Sequence, residues 1–487
     1  MDFNSLAFLG FFAVAAILTY CFPRKAKPYF LLLASYAFYL YKPQNAKLVA
    51  LLISATVITY CCGILLEKIA NKHARIAVLS LSLAGCLGIL FYFKYFSFFN
   101  QTLHDLVGIF GGSIKVAQLD LIAPLGLSYF TFQSLGYVID VYKKRVTAVY
   151  NPVKYALFVS FFPCIFTGPI ERADHLIPQF DAPKKFNYSR MAGGAFRMLW
   201  GYFKKMVLAD TIGLFVSTVY GAPAKSLGPY LVLASLLFSY QLYLDFSGCC
   251  DIAIGGARIL GFTLMENFDR PFAATSYSDL WRRWHISLSS WFRDYLYIPM
   301  GGSRCPRWRQ VINLMVTFLA SGLWHGANLG YVIWGALNGV LLVIGKLTGK
   351  ARAKLNEKNP LAKVPFLLHF FQRVWVYLCF TLCIVFFAAA LYGSSAGDVF
   401  SGMLTGWAGF TWAGFTAGLA SRSLSLTTIG LLTLGCCFVE LVEWRGCVSS
   451  WIRRQWFIIR WPIYYALALA ILFFGVFGKS AFIYQNY

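Results

Sequence analysis

Apolar runs long enough to lie in a membrane recur along this chain, separated by short polar segments rich in Lys and Arg. They extend from Leu6 to Tyr20, Phe30 to Tyr41, Leu48 to Leu66, Ile76 to Phe93, Tyr230 to Leu244, Tyr331 to Ile344, Val374 to Tyr392, Leu424 to Leu441 and Ile463 to Phe477. Crossing a hydrocarbon core of ~30 Å takes ~20 mostly apolar residues as helix, the form in which backbone N–H and C=O groups satisfy one another without water. The pattern therefore predicts an all-α, polytopic integral membrane protein. Further segments near Leu121 to Tyr142, Tyr155 to Thr167 and Val311 to Leu323 bring the expectation to roughly ten to twelve transmembrane or re-entrant helices.

Composition agrees. Of 487 residues 59% are hydrophobic and 13% charged, with mean hydropathy +0.62, which excludes a soluble globular chain. The first run follows Asp2 with no Lys or Arg before it, and Arg24, Lys25 and Lys27 come directly after it. That charge order is wrong for a cleaved signal peptide and reads as an anchor with its N-terminus outside. The positive-inside rule then puts the loops at Phe22 to Lys27 and Glu67 to Arg75 in the cytoplasm, two crossings apart. A formal net charge of +24 suggests nucleic acid in a soluble protein, but here the cations sit in short loops between spans, where orientation and anionic headgroups account for them. No nucleic-acid partner is expected; the membrane lipid is one. The 13 Cys include Cys61-Cys62, Cys249-Cys250 and Cys436-Cys437 but no CxxC spacing, so they read as small buried residues, and no metal site is expected.

No internal repeat or long linker divides the chain, and residues 1–487 read as a single membrane domain. Its main polar stretches are Asn100 to Gln118, Lys143 to Lys154, Gly168 to Arg190, Met265 to Arg309 and Lys346 to Lys363. Met265 to Arg309 is aromatic as well as charged: Trp281, Trp284, Trp291, Tyr295 and Tyr297 alternate with Arg282, Arg283, His285, Arg293 and Asp294. Ser278 or Asp279 is positioned to cap a helix from Leu280 to about Tyr297, which Pro299-Met300-Gly301-Gly302 would stop. Such a helix suits the headgroup layer or the rim of a polar cavity.

Six His residues occur, and His73, His104, His175 and His369 sit beside charges or at the edges of runs, where a solvated or locally satisfied imidazole explains them. His285 and His325 differ. One predicted membrane segment separates them, so they can face each other across a cavity, and a polar group at that depth usually pairs or serves a pathway. An imidazole with a reference pKa near ~6.5 acts as a general base once a hydroxyl is in reach; the alternative is a packed, hydrogen-bonded His. There is no GxSxG, HExxH or GxxxxGK[ST] motif. A pair of carboxylates on one helix is not expected either, since the 19 Asp and Glu fall mostly in loops.

Three blocks carry a resemblance. Trp281-Arg282-Arg283-Trp284-His285-Ile286-Ser287-Leu288-Ser289, Phe292-Arg293-Asp294-Tyr295-Leu296-Tyr297-Ile298-Pro299-Met300-Gly301-Gly302 and Gly322-Leu323-Trp324-His325-Gly326-Ala327 resemble the signature of membrane-bound O-acyltransferases, in particular the bacterial alginate O-acetyltransferase branch. Pro124 to Gln133, Phe161-Phe162-Pro163, Thr167 to Ile170, Asp245-Phe246-Ser247-Gly248 and Glu266 to Pro271 support it, so that residues 1 to 345 resemble the family well and the rest by hydropathy.

The resemblance implies that His325 is the catalytic residue and His285 its second polar residue, both facing a central funnel. It implies a cytoplasmic thioester donor, here acetyl-CoA as a substrate with no bound cofactor, and an extracytoplasmic polysaccharide acceptor. Trp324, Asn328, Arg293, Asp294, Arg282 and Arg283 become substrate-binding candidates. The arginines suit donor phosphates and equally suit membrane orientation. The ending Phe482-Ile483-Tyr484-Gln485-Asn486-Tyr487 is similar to a C-terminal aromatic motif whose tyrosine is thought to hold the acyl group, which makes Tyr484, or else Tyr487, a relay candidate and implies an extracytoplasmic acyltransferase partner. An interfacial tyrosine anchor is the plain alternative. Two rival functions remain: D-alanyl transfer to teichoic acid from an aminoacyl carrier protein, and a lipid-linked glycan transporter, which the missing repeats disfavour.

Overall fold

The computed structural model describes residues 1–112, 124–182, 185–444, 452 and 454–478. Helix is the regular structure of the described residues, which contain no strand. Among them seven helices are long and apolar enough to cross a membrane: Val49–Lys68, Lys72–Ile109, Gly228–Ile259, Leu329–Leu347, Pro365–Leu391, Leu426–Trp444 and Phe457–Phe474, with the shorter apolar helix Leu6–Cys21 beside them. The protein is a multi-pass membrane protein. Its chain clusters into two compact units, residues 1–195 with 253–265, and residues 196–252 with 266–486.

In the first unit, α1 (Leu6–Cys21), α2 (Lys27–Leu40), α3 (Val49–Lys68), α5 (Leu127–Tyr142) and α6 (Pro152–Ser160) follow the apolar segments, whereas α4 (Lys72–Ile109) continues past Phe93 into a polar stretch and α7 (Ala173–Asp181) lies within one. Asn71 caps α4 by accepting from the backbone N–H groups of His73 and Ala74. Gly63 of α3 lies directly beneath the Tyr137 ring of α5, and a side chain there would collide with it. Arg75, expected only as a topology marker, donates to carbonyl oxygens at the ends of both helices, Leu66 and, at 2.7 Å, Tyr142. Its guanidinium thus occupies the orphan acceptors that helix C-termini leave.

The second unit begins within α8 (Tyr188–Tyr202), at Phe196, and α8 runs through a π-helical turn, Phe203–Ala209, into α9 (Asp210–Tyr220). Hydropathy gave no span here, because Lys204, Lys205 and Asp210 interrupt the apolar pattern. All three are buried in ion pairs. Lys205 Nζ lies 2.6 Å from Asp210 Oδ1 and 2.6 Å from Asp245 Oδ1; Lys204 Nζ lies 2.7 Å from Asp251 Oδ2 and 3.0 Å from Glu443 Oε1. For the same reason the run expected to stop at Leu244 continues as α10 (Gly228–Ile259), and the expectation of no carboxylate pair on one helix is corrected: Asp245 and Asp251 both project from α10 into these ion pairs.

The aromatic stretch differs as well. Ser276, and neither Ser278 nor Asp279, caps the first helix, by accepting from Asp279 N–H at 3.2 Å. The helix expected from Leu280 to Tyr297 breaks in two, α11 (Tyr277–Arg283) and α12 (Ile286–Phe292), with a π-helical turn over Arg293–Tyr297. His285 sits at the break with φ 43° and ψ 55°, left-handed geometry that non-glycine residues seldom adopt. There follow α13 (Arg307–His325), α14 (Leu329–Leu347), α15 (Gly349–Lys358), α16 (Pro365–Leu391), α17 (Ala396–Thr405), α18 (Trp412–Ala420), α19 (Leu426–Trp444) and α20 (Phe457–Phe474). Only residues 326–328 join α13 to α14, so the two are antiparallel neighbours, and Gly322 and Gly335 meet at their contact, Cα against an ideal Cβ at 3.1–3.3 Å. The hairpin puts Arg304, Arg307 and Arg309 at the same end as Lys346, Lys350 and Arg352, which the positive-inside rule assigns to the cytoplasm.

Candidate active site

Along α13, Leu314, Thr317, Phe318, Ser321 and His325 recur at spacings of three and four, a single stripe of the helix, and this stripe lines a cavity of 510 Å³ in the second unit. From Leu314 to His325 the helix rises about 16 Å at 1.5 Å per residue. His285 and His325 both line the cavity and are 2% and 4% exposed. Arg282, Arg293, Lys346 and Arg352, all exposed, line it too, with Lys346 in the last turn of α14 and Arg352 just beyond it, at the end that lies away from His325 in the antiparallel hairpin. The wall thus combines four solvent-reaching cations with two buried imidazoles among aromatic rings.

The geometry of His285 is set by Asn267. Ile286 N–H donates to the Asn267 backbone oxygen at 2.9 Å, and Asn267 Oδ1 accepts from Ser287 N–H at 3.1 Å, Ser287 Oγ at 2.9 Å and His285 Nδ1 at 3.1 Å. Asn267 therefore supplies to α12, from outside the helix, the acceptor that an N-cap residue would provide, since His285 at that position has no side-chain capping bond. Because an amide oxygen only accepts, Nδ1 of His285 carries the proton and Nε2 keeps its lone pair. Among the described residues Nε2 has no hydrogen-bond partner. The Phe246 ring of α10 packs edge-on to this imidazole at 4.6 Å, and the Asn267 amide donates to Cys250 Sγ at 3.3 Å.

His325 ends α13 among aromatic rings. Trp324, Trp334 and Phe387 have ring centroids 5.0, 5.0 and 5.3 Å from its imidazole, each nearly perpendicular to it. Trp324 also reaches His285, at 5.9 Å, so a single indole packs against both histidines.

Of the residues singled out in the sequence, His285, His325, Arg282 and Arg293 come together on the cavity wall. Trp324 touches both imidazoles without lining the cavity. Asn328 is elsewhere: it caps α14 by accepting from Gly330 N–H at 2.8 Å. Arg283 is drawn away by Asp279 at 3.0 Å and Asp269 at 3.4 Å, and Asp294 accepts from Arg293 Nε at 2.8 Å. Tyr484, Tyr487 and the motif 482–487 lie outside the described residues. Sequence reasoning missed Asn267, Lys346 and Arg352 as members of the site. Asn267 stood in one of the supporting blocks and the two cations in a polar stretch, but nothing in the sequence placed them at this cavity.

The comparisons agree with the geometry. The model of the MBOAT, membrane-bound O-acyltransferase family, matches residues 141–389. The probable alginate O-acetylase AlgI of Pseudomonas aeruginosa is 37% identical over 364 residues, covering 74% of this chain and 69% of that protein. This chain belongs to the membrane-bound O-acyltransferase family. The peptidoglycan O-acetyltransferase of Helicobacter pylori is 34% identical, over 74% of this chain and 71% of its own. The teichoic acid D-alanyltransferase of Bacillus subtilis is 29% identical, over 46% and 59%. The protein is an O-acyltransferase, and the paired histidines lie on two of the blocks that carried the resemblance.

Proposed function

We propose that this acyltransferase moves an acetyl group from acetyl-CoA, entering at the cationic rim, to hydroxyls of an extracytoplasmic polysaccharide. The observation that carries the reading is the cavity itself: four exposed cations and two buried imidazoles share its wall. Lys346 and Arg352 lie at and just beyond the end of α14 that pairs with the start of α13, and α13 rises about 16 Å along the cavity from Leu314 to His325. An extended pantetheine arm with its phosphates on the rim reaches the imidazoles with its thioester. Arg282, Arg293, Lys346 and Arg352 meet the phosphates by charge-assisted hydrogen bonds.

His325 acts as general base. It takes the proton of the incoming hydroxyl as the oxygen attacks the thioester carbonyl, and returns it to the thiolate when the C–S bond breaks. His285, its Nδ1 proton tied to Asn267, offers the Nε2 lone pair to the same proton. The first hydroxyl to be acylated is that of Tyr484, a phenol whose ester stays activated because its leaving group has a pKa near ~10. A separate extracytoplasmic transferase then carries the acetyl group to the polymer. Acetyl is favoured over D-alanyl because the O-acetyl-transferring relatives match at 34–37% over about three quarters of this chain and the D-alanyl-transferring ones at 27–29% over less than half.

Labelling purified protein with radioactive acetyl-CoA tests this. Label is expected on the C-terminal peptide of the wild type and absent from His325→Ala and Tyr484→Phe. Absence of both label and free CoA in the wild type would sink the acetyl-CoA reading and turn attention to an aminoacyl carrier protein.

Asn267→Ala gives a second test. It removes the acceptor of three hydrogen bonds and frees the imidazole to turn, and a misplacement of about 1 Å at a reacting group can lower kcat by about 10²-fold. KM for the donor is expected to stay near the wild-type value, because Asn267 does not itself line the cavity. A rise in KM alone would refute the positioning role.

A further inference from the structure

None of residues 326–331 lines the cavity, yet Asn328 and Leu329, only three and four positions beyond His325, are exposed, Leu329 by 62%. The imidazole is therefore separated from the face of the second unit opposite the cationic rim by a thin layer of side chains. That layer is aromatic. Tyr331, in the first turn of α14, packs on Phe387 near the end of α16 with ring centroids 4.9 Å apart, and Phe387 packs in turn on Trp334 at 5.4 Å and on His325 at 5.3 Å. Tyr331 is 4% exposed and Phe387 fully buried. The layer is held in place from behind: Gly322 accepts the Tyr331 backbone so closely that a Cβ there would strike its carbonyl oxygen, and Gly330 does the same for Phe386 of α16, with 2.8 Å from an ideal Cβ to the Phe386 oxygen.

We propose that Tyr331 and Phe387 form an aromatic partition that sets the preference of this enzyme for its acceptor over water. A thioester beside a general base is open to hydrolysis: water attacks the carbonyl, the C–S bond breaks, and the proton passes through the imidazole to the leaving thiolate, giving free acid and thiol. Rings packed on the far side of His325 keep the outer water from that carbonyl, and an acceptor hydroxyl reaches the imidazole by displacing them. Excluding water from a reactive intermediate is a general device of closed sites. The inference rests on reading the cavity as the donor site.

The test uses the full chain with Ser321→Cys, one turn below His325 on the cavity wall, and a membrane-impermeant methanethiosulfonate, applied to intact cells and to inverted vesicles and read at position 321 by mass spectrometry. With the rings intact, labelling is expected from the face carrying Lys346 and Arg352 and undetectable from the other. Adding Phe387→Ala, or separately Tyr331→Ala, opens the second face to an equal extent, and unchanged labelling from the first face shows that the variant is folded. Should one ring variant fail to accumulate, the other gives the same reading. Labelling of Ser321→Cys from both faces with the rings present, or from the first face alone in the ring variants, overturns the proposal. Labelling from neither face overturns it together with entry at the cationic rim. None of these readings needs a donor, so failure of acetyl-CoA as substrate is seen separately, in the radioactive assay, while the same ring variants should release more thiol from the true donor without acceptor.

Discussion

His325→Ala lowers the rate of acyl transfer by about 10²- to 10⁴-fold, the range that a positioned general base contributes, or ~3–5 kcal/mol of barrier at 1.36 kcal/mol per decade. The loss falls on kcat. Lys346 and Arg352, among the cations proposed to hold the donor, lie at and just beyond the end of α14 away from His325, so KM for acetyl-CoA is expected to change little. The converse variant separates the two ends: replacing Lys346 and Arg352 together by alanine raises KM with little effect on kcat, because it removes binding that ground state and transition state share. Steady-state release of CoA measured against donor concentration reads both. If His325→Ala keeps kcat within twofold of the wild type, His325 is a packed aromatic neighbour of Trp324, Trp334 and Phe387 and nothing more.

Most of the membrane architecture was legible in the sequence, because a helix in lipid must be apolar over its length and the runs say so directly. Legibility failed where charge is buried in pairs. Lys204 and Lys205 read as a loop in any window of hydropathy, yet they lie in the middle of a continuous helical path from Tyr188 to Tyr220, since each finds two carboxylates, all but Asp210 on other helices. Asp210 is five positions from Lys205, but Asp245, Asp251 and Glu443 are dozens to hundreds of positions away, and no local pattern announces them. The site shows the same division. His285 and His325 stood out as polar groups among apolar residues, but the backbone break at His285 depends on Asn267, eighteen positions upstream, taking over the capping of α12. A periodicity argument run through Trp281 to Tyr297 produces an unbroken helix because it cannot see that acceptor. Arg282 and Arg283 are adjacent and alike in sequence, and only the positions of Asp279 and Asp269 decide that Arg283 is tied to carboxylates away from the cavity that Arg282 lines.

Lys205→Met is expected to cost about 3–5 kcal/mol of stability, the range found when one partner of a buried ion pair is removed. Lys205, Asp210 and Asp245 are 3%, 5% and 1% exposed in their side chains, so the two carboxylates left behind have no water to replace the ammonium. The π-helical turn helps the arrangement: with i→i+5 bonding it puts more residues into each turn and brings the adjacent lysines nearer one face, from which Lys204 takes Asp251 and Lys205 takes Asp245 of the same helix. The triple replacement Lys205→Met, Asp210→Leu, Asp245→Leu should recover most of the loss, because an apolar cluster of similar volume is often as stable as the ion cluster it replaces. Loss of the monodisperse peak on heating, followed by size-exclusion chromatography in detergent, ranks the three proteins. A wild-type midpoint for Lys205→Met would show that the cluster carries no net charge to be left unpaired. Activity offers a further distinction, since Asp245 precedes Phe246, whose ring packs on His285 at 4.6 Å. If the ion cluster fixes the rotation of α10, the triple variant will be stable and yet slow, with kcat reduced and KM unchanged; if it only holds the fold, the triple variant will be both stable and fast.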